Sequence, residues 1–275
     1  MHHVKANGAA IPALGLGTFT LKDATCRDMV ARALDTGYRH VDTAAMYGNE
    51  EAVGEGLRQA RTPRDDVFVT TKVWFTDIAP GDLEASAEAS LRRLGLDHVD
   101  LLLIHWPNPA IPLAESIGAL NRAQARGLAR HIGVSNFNRS MLAEAVALSD
   151  APLVCNQVEY HPQLNQTSML AELRRREMAL VAYCPLGRGE TLSDPAVVAA
   201  ARAHGKTAGQ VILRWQVQQP GVVAIPRTSN PDRLAENLDI FDFELSASEM
   251  EAISALRVAG RRICDYPFDL SWEGD

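Results

Sequence analysis

The sequence predicts an α/β protein: a (β/α)8 (TIM) barrel with an N-terminal β-hairpin and a C-terminal loop over its mouth. Two observations lead there. Eight short apolar runs alternate with segments of helical periodicity, at a spacing of roughly thirty residues per unit. Several of those runs are almost continuously apolar, as strands buried on both faces must be. An open doubly wound sheet is the competing architecture. Eight strands and an even composition favour closure, so residues 1–275 are read as one domain.

Taken in order, "HVKANGAAIPAL" carries the turn signal Asn7-Gly8 and reads as the hairpin. The strands follow as "ALGLGT" (13–18), "YRHVDTA" (38–44), "DVFVTTKV" (66–73), "VDLLLIHW" (99–106), "ARHIGVSN" (129–136), "PLVCNQVEY" (152–160), "ALVAYCPL" (179–186) and "GVVAIPRT" (221–228). Between them, "CRDMVARALDTG" sets Met29, Val30, Ala33 and Leu34 on one stripe and stops at Gly37. "GDLEASAEASLRRLG" has Asp82 at its start and Gly95 past its end. "SMLAEAVAL" and "TSMLAELRRRE" open with Ser140 and Thr167 as candidate caps, and "TAGQVILRWQVQQ" is a further helix.

Composition narrows the function. The chain has 275 residues, 47% of them apolar, enough for one large barrel core. A net charge of -7 argues against nonspecific attraction to nucleic acid or to an anionic membrane. The four cysteines, Cys26, Cys155, Cys184 and Cys264, lie far apart without CxxC spacing, so no zinc cluster is expected. "MHHVKANGAAIP" lacks the apolar core of a secretion signal, and no apolar run has the length of a membrane span. A cytoplasmic protein is the expectation, and with no heptad run or amphipathic extension no partner protein is visible.

In such a barrel the chemistry collects where the strands end. Asp42 ends the second barrel strand and Tyr47 follows in its loop, Lys72 ends the third, and His105 ends the fourth. Each has an ordinary reading: a turn cap, a packed ring, a solvated amine, a core imidazole. Together they point an acid, a phenol, an amine and an imidazole into one mouth. A phenol ordinarily titrates near 10, and a cation within a few ångströms lowers that value by about 1–3 units. Lys72 is the expected cation and Asp42 its anchor. Tyr47 would then be a general acid for a carbonyl oxygen, an effect worth about 10²–10⁴ in rate, with His105 on the far side of that oxygen.

At this point the chain resembles the aldo-keto reductases along nearly its whole length. The matching segments are "GLGTF", "HVDTAAMYGNE", "TTKVW", "LLLIHWP", "GVSNF", "NQVEYHP", "AYCPLG" and "IPRTSNPDRLAEN". Their joint order and spacing are specific where each alone is weak. The resemblance implies a catalytic tetrad of Asp42, Tyr47, Lys72 and His105, with NADPH extended across the barrel mouth, and, as for most relatives, a monomer; no metal is required, because Tyr47 and His105 would polarise the carbonyl.

No GxGxxG stands at a strand-to-helix turn, so a Rossmann site is not supported. Barrels offer instead a phosphate site after the last strands. There "IPRTSNPDRLAEN" sets Arg227, Thr228 and Arg233 around a helix start, and arginine grips phosphate through a planar fork. The resemblance puts these three at the adenosine 2′-phosphate, with Glu236 and Asn237 near adenine. The position of Arg227 is often lysine in the family; arginine keeps the charge, and NADPH over NADH is the expected preference. The resemblance also implies Ser135, Asn136 and Gln157 at the nicotinamide carboxamide and Tyr183 stacked on its ring. It implies Leu186 and Gly187 beside the pyrophosphate, where Arg188 and Asp194 are further candidates.

The substrate side is less determined. Phe19, Trp74, Phe75, Trp106 and Trp272 are candidate walls. The loop "WPNPAIPLAE" is short, as in the compact bacterial members that reduce 2,5-diketo-D-gluconate and methylglyoxal. Small aldehydes, ketones and dicarbonyls are therefore the expected substrates. Two other readings stand beside this one: a Schiff-base aldolase using Lys72 as nucleophile, and a nucleotide-sensing barrel without turnover.

Overall fold

The computed structural model describes residues 1–258, 261–264 and 272. The chain begins as an antiparallel hairpin of β1 (His3–Ala6) and β2 (Ala9–Pro12). Its turn needs positive φ at both corners; Asn7 has φ 42° and Gly8 has φ 90°, the geometry for which Asn-Gly is selected.

Eight parallel strands follow: β3 (Leu16–Gly17), β4 (His40–Asp42), β5 (Phe68–Val73), β6 (Val99–Ile104), β7 (Ala129–Ser135), β8 (Leu153–Glu159), β9 (Ala179–Tyr183) and β10 (Val222–Ala224). Each pairs with its sequence neighbours. A bridge between Leu14 and Ala224 joins the two ends. There Gly15 N donates to Ala224 O at 2.9 Å, and Ala224 N donates to Ala13 O at 2.9 Å. The sheet is therefore closed, as expected. Strand residues are buried throughout β6 and β8, which is why their sequences read as unbroken apolar runs.

The helices are α1 (Asp23–Thr36), α2 (Glu50–Gln59), α3 (Asp82–Leu94), α4 (Leu113–Ala125), α5 (Arg139–Leu148), α6 (Thr167–Arg175), α7 (Pro195–His204), α8 (Ala208–Val217), α9 (Asp232–Leu238) and α10 (Ala247–Ser254). α3 buries Leu83, Ala87, Leu91 and Leu94 on one stripe and ends at Gly95 in the left-handed region, φ 68°. Two of the expected caps are displaced. α5 is capped by Asn138, whose side chain accepts from Met141 N at 2.8 Å, and Ser140 lies inside the first turn. α6 begins at Thr167 itself, after Gln166, which supplies no side-chain cap. α5 starts earlier than its first serine suggested, because the upstream Asn138 caps the helix entrance instead. "TAGQVILRWQVQQ" forms α8, but α7 precedes it within the same β9–β10 connection.

Two packing constraints hold the base of the barrel. His40 is wedged beside Gly15, where a Cβ would stand 2.6 Å from its Nδ1, and its Nε2 lies 3.2 Å from Thr70 Oγ1. Gly54 of α2 meets the end of α3 so closely that a Cβ would fall 2.2 Å from the Leu94 carbonyl oxygen.

Both constraints can be measured. Burial depresses the His40 imidazole to about 4, against an opposing pull from Asp42. The unfolded chain binds that proton near 6.5, so the fold is fully stable above that pH. It loses stability as pH falls toward 4, by up to about 1.4 kcal/mol per unit. Urea midpoints followed from pH 7 to 5 should flatten in His40→Gln by up to one proton's worth of slope. Gly54→Ala should destabilise in spite of better helix propensity: propensity favours alanine by about 1 kcal/mol, whereas overpacking costs about 1–3 kcal/mol. A higher urea midpoint in Gly54→Ala would contradict the close approach.

Candidate active site

The barrel brings the four strand-end residues together. Asp42 is the last residue of β4, Lys72 the last but one of β5, and His105 follows β6 directly. The parallel register of β4, β5 and β6 sets all three at the same end. Tyr47 closes a short 3₁₀ turn, Ala45–Tyr47, just beyond β4.

Lys72 is completely buried. Its Nζ donates to Asp42 Oδ1 at 2.6 Å, to Thr43 O at 2.8 Å and to the Tyr47 hydroxyl at 3.3 Å. All three ammonium protons are thus placed. The second carboxylate oxygen of Asp42 accepts from Gln157 Nε2 at 2.8 Å. Burial works against the Lys72 charge, but Asp42 and Tyr47 outweigh it and the amine is held above its ordinary value. Lys72 is an ammonium at any physiological pH.

At Tyr47 the balance runs the other way, which corrects the expectation from sequence. Burial pushes the phenol up by more than the Lys72 charge pulls it down. Its hydroxyl therefore stays protonated at neutral pH. The ring lies edge-on to His105, centroids 5.6 Å apart, and 5.1 Å from the ring of Phe19. His105 is neutral: burial, then the Lys72 charge, holds it well below its ordinary value. Its Nδ1 is buried without a hydrogen-bond partner.

The loop carrying Tyr47 is fixed by residues that sequence reasoning left unassigned. Asn49 Nδ2 donates to Thr18 O at 2.9 Å and to Leu21 O at 3.0 Å, and its Oδ1 accepts from Thr43 Oγ1 at 2.9 Å. Glu50, buried, accepts from Thr71 Oγ1 at 2.5 Å and from Arg93 Nε and Nη2 at 2.8 and 2.6 Å. Both stand inside the quoted run "HVDTAAMYGNE". Polar residues so close after a buried strand were the available signal.

Among the residues expected near a nicotinamide, Ser135, Asn136, Gln157 and Tyr183 form one connected network. Ser135 Oγ donates to Gln157 O at 2.9 Å. Asn136 Nδ2 donates to His105 O and to Ser135 Oγ, each at 3.0 Å, and the Tyr183 hydroxyl donates to Asn136 Oδ1 at 2.8 Å. Asn136 holds φ 62° to do so, a conformation asparagine tolerates better than most residues. The side-chain amide of Gln157 is engaged by Asp42, so Gln157 faces the charged pair.

Leu186 is half-buried against the core, and Gly187, φ 52°, begins the turn Gly187–Gly189 beside His161. Arg188 is exposed in that turn, whereas Asp194 is spent as the cap of α7. Past β10, Arg227 is exposed with its Nε on Phe19 O at 3.2 Å, and Thr228 is buried and accepts from Asn230 N at 3.0 Å. Arg233 is exposed on α9. Neither arginine makes an ion pair among the described residues. Glu236 accepts from Thr207 Oγ1 at 2.7 Å. Asn237 is buried beside the Tyr38 phenol.

Of the candidate walls, Phe19 is 53% exposed, while Trp106 is buried. Trp74 stands 5.1 Å from the His105 ring and 4.9 Å from Phe75. Trp272 lies over the Arg262 guanidinium, 3.5 Å from its carbon. Most of the tail expected to fold over the mouth lies outside the described residues.

Comparison with known proteins agrees with this geometry. The profile of the Aldo/keto reductase family matches residues 13–258. An aldo-keto reductase of Mycolicibacterium smegmatis is 46% identical over 247 residues, covering 90% of this chain and 87% of its own. The morphine 6-dehydrogenase of Pseudomonas putida is 41% identical over 281 residues, covering 96% and 93%. Among solved structures, one described as "a putative 2,5-diketo-D-gluconic acid reductase B" superposes with a TM-score of 0.95 at 49% identity, covering 97% of this chain and 95% of that one. A Bombyx mori aldo-keto reductase in complex with NADP gives 0.87 at 36% identity, covering 93% and 92%. The chain belongs to the aldo/keto reductase family and is an oxidoreductase of the kind that acts on carbonyl groups.

Proposed function

We propose that the protein reduces small aldehydes, ketones and dicarbonyls to alcohols with NADPH, Tyr47 acting as the general acid. The observation that supports this most is the Tyr47 hydroxyl lying 3.3 Å from the Nζ of the fully buried Lys72, with burial holding the phenol above its ordinary value. A phenol in that place gives its proton to a carbonyl oxygen as negative charge gathers there, and Lys72 stabilises the phenolate left behind. His105, neutral and edge-on to Tyr47, offers an N–H to the same oxygen and carries no charge of its own to compete with Lys72.

Residues present suit a reduced dinucleotide. Tyr183 presents a half-buried ring held by Asn136, a surface on which a flat ring can stack. Arg227 and Arg233 are exposed cations without carboxylate partners among the described residues, beside the strand end where barrels bind phosphate. Bound there, the nicotinamide supplies the hydride. The chain's own residues orient the carbonyl, exclude water through Trp74 and Trp106, and deliver the proton. The aldolase reading fares worse, because an imine needs a neutral amine and Asp42 at 2.6 Å keeps Lys72 charged.

Tyr47→Phe should lower turnover by about 10²–10⁴ while leaving NADPH binding, read by fluorescence titration, close to wild type. Turnover within a few-fold of wild type would remove the proposed acid. Arg227→Ala with Arg233→Ala should raise the KM for NADPH by at least about tenfold, roughly the loss of one charge-assisted contact of 1.5–3 kcal/mol. The KM for NADH should hardly move. An equal rise for both cofactors would place the 2′-phosphate elsewhere.

A further inference from the structure

Two cysteines that the proposed chemistry does not use have come together. Cys184 follows Tyr183 directly at the end of β9 and holds φ 51°. Cys264 belongs to the chain beyond α10. Their sulfurs stand 3.8 Å apart, with the Cys264 thiol donating to Cys184. Both are free and partly exposed, whereas Cys26 and Cys155 are fully buried. Eighty positions separate the pair in sequence, so the fold alone creates it.

The approach is built, not incidental. Glu159, at the end of β8, is fully buried. It accepts from Ile263 N and Cys264 N at 2.7 Å each, and from His161 Nε2 at 2.9 Å. Burial alone would raise the Glu159 carboxyl, yet these donors hold it below its ordinary range. A carboxylate that takes two successive main-chain N–H groups fixes the backbone at Cys264, and with it the direction of the side chain. Farther along, Val258 N donates to Gln163 O at 2.9 Å, and Arg261 pairs with Glu190. The segment is moored at three places around the β8 and β9 ends.

We propose that Cys184 and Cys264 are a dithiol–disulfide couple, oxidised by hydroperoxides, whose bond ties the C-terminal segment to the strand end that bears Tyr183. Cys184 is the attacking sulfur: the Cys264 S–H donated to it, with Arg188 nearby, favours its thiolate, while Cys264 is pushed up. The Cys184 thiolate attacks the peroxide; its sulfur takes one oxygen to become a sulfenic acid, and the other leaves as water after gaining a proton. Cys264 then attacks that sulfenic sulfur, an S–S bond replaces S–O, and a second water departs. Two thiols are oxidised by two electrons and one peroxide is reduced. Sulfurs 3.8 Å apart need to close to about 2.05 Å, a movement within reach of side-chain rotation. The mooring at Glu159 keeps the resolving thiol present when the first step has occurred.

The test is on the full-length protein and does not depend on carbonyl reduction. After hydrogen peroxide treatment at neutral pH, the protein is denatured and alkylated with iodoacetamide. It should accept two fewer alkyl groups than the four its free cysteines allow when reduced. Peptide mapping should join Cys184 to Cys264, and dithiothreitol should restore all four sites. Cys264→Ser should give no cross-link and a Cys184 sulfenic acid that dimedone captures. Two results would overturn the proposal: four alkylated cysteines after treatment, or wild-type Cys184 carried on to sulfinic acid with Cys264 still free.

Discussion

The arrangement rests on one buried ion pair, Lys72 with Asp42, whose side chains are 0% and 2% exposed. Removing an ammonium and a carboxylate from water costs several kcal/mol each. That cost is offset only because every valence is used: Asp42, Thr43 and Tyr47 around the amine, Gln157 on the far carboxylate oxygen. The pair joins β4, β5, β8 and the Tyr47 loop. A hydrophobic pair of similar volume would serve stability as well or better, so the ion pair is better understood as a device for holding a charge at a fixed distance from a phenol.

That distance sets the character of Tyr47. Burial and the Lys72 charge act on the phenol in opposite directions, and burial prevails. A phenol made too acidic would arrive already deprotonated, with nothing to give. One left in an apolar pocket without Lys72 would form an unsupported anion on giving its proton. For the acid role proposed for Tyr47, this balance would keep the proton before the reaction and support the anion after it. Precision of this kind needs a stiff loop, and Asn49 and Glu50 supply it by tying the turn to β3, β5 and α3.

Much of this was legible in the sequence. Strands buried on both faces announce themselves as apolar runs, and a polar residue at the end of such a run, as at Asp42, Lys72 and His105, is conspicuous because nothing in the core calls for it. Order along the chain then fixes neighbours, since each strand pairs with the next. Three features were not legible. The cap of α5 lay two residues upstream of Ser140, because several polar residues compete at a helix entrance and only backbone direction chooses among them. The net shift at Tyr47 depends on how deeply the hydroxyl is buried, a property of the closed barrel. Cys184 and Cys264 are distant in sequence and meet where Glu159 accepts from the main-chain amides of Ile263 and Cys264.

On the proposed function, reaction and selectivity would be held by different parts of the molecule. The buried pair Asp42 and Lys72 is held by β4 and β5, strands whose register cannot slip without turning their side chains to the opposite face. The candidate substrate walls stand on connections: Phe19, more than half exposed, follows β3, and Trp74 and Trp106 follow Lys72 and His105 by one or two residues. On the proposed reading, exchanging a wall residue would change which carbonyl fits and leave the buried pair in place. Loops tolerate such exchange far better than strands do.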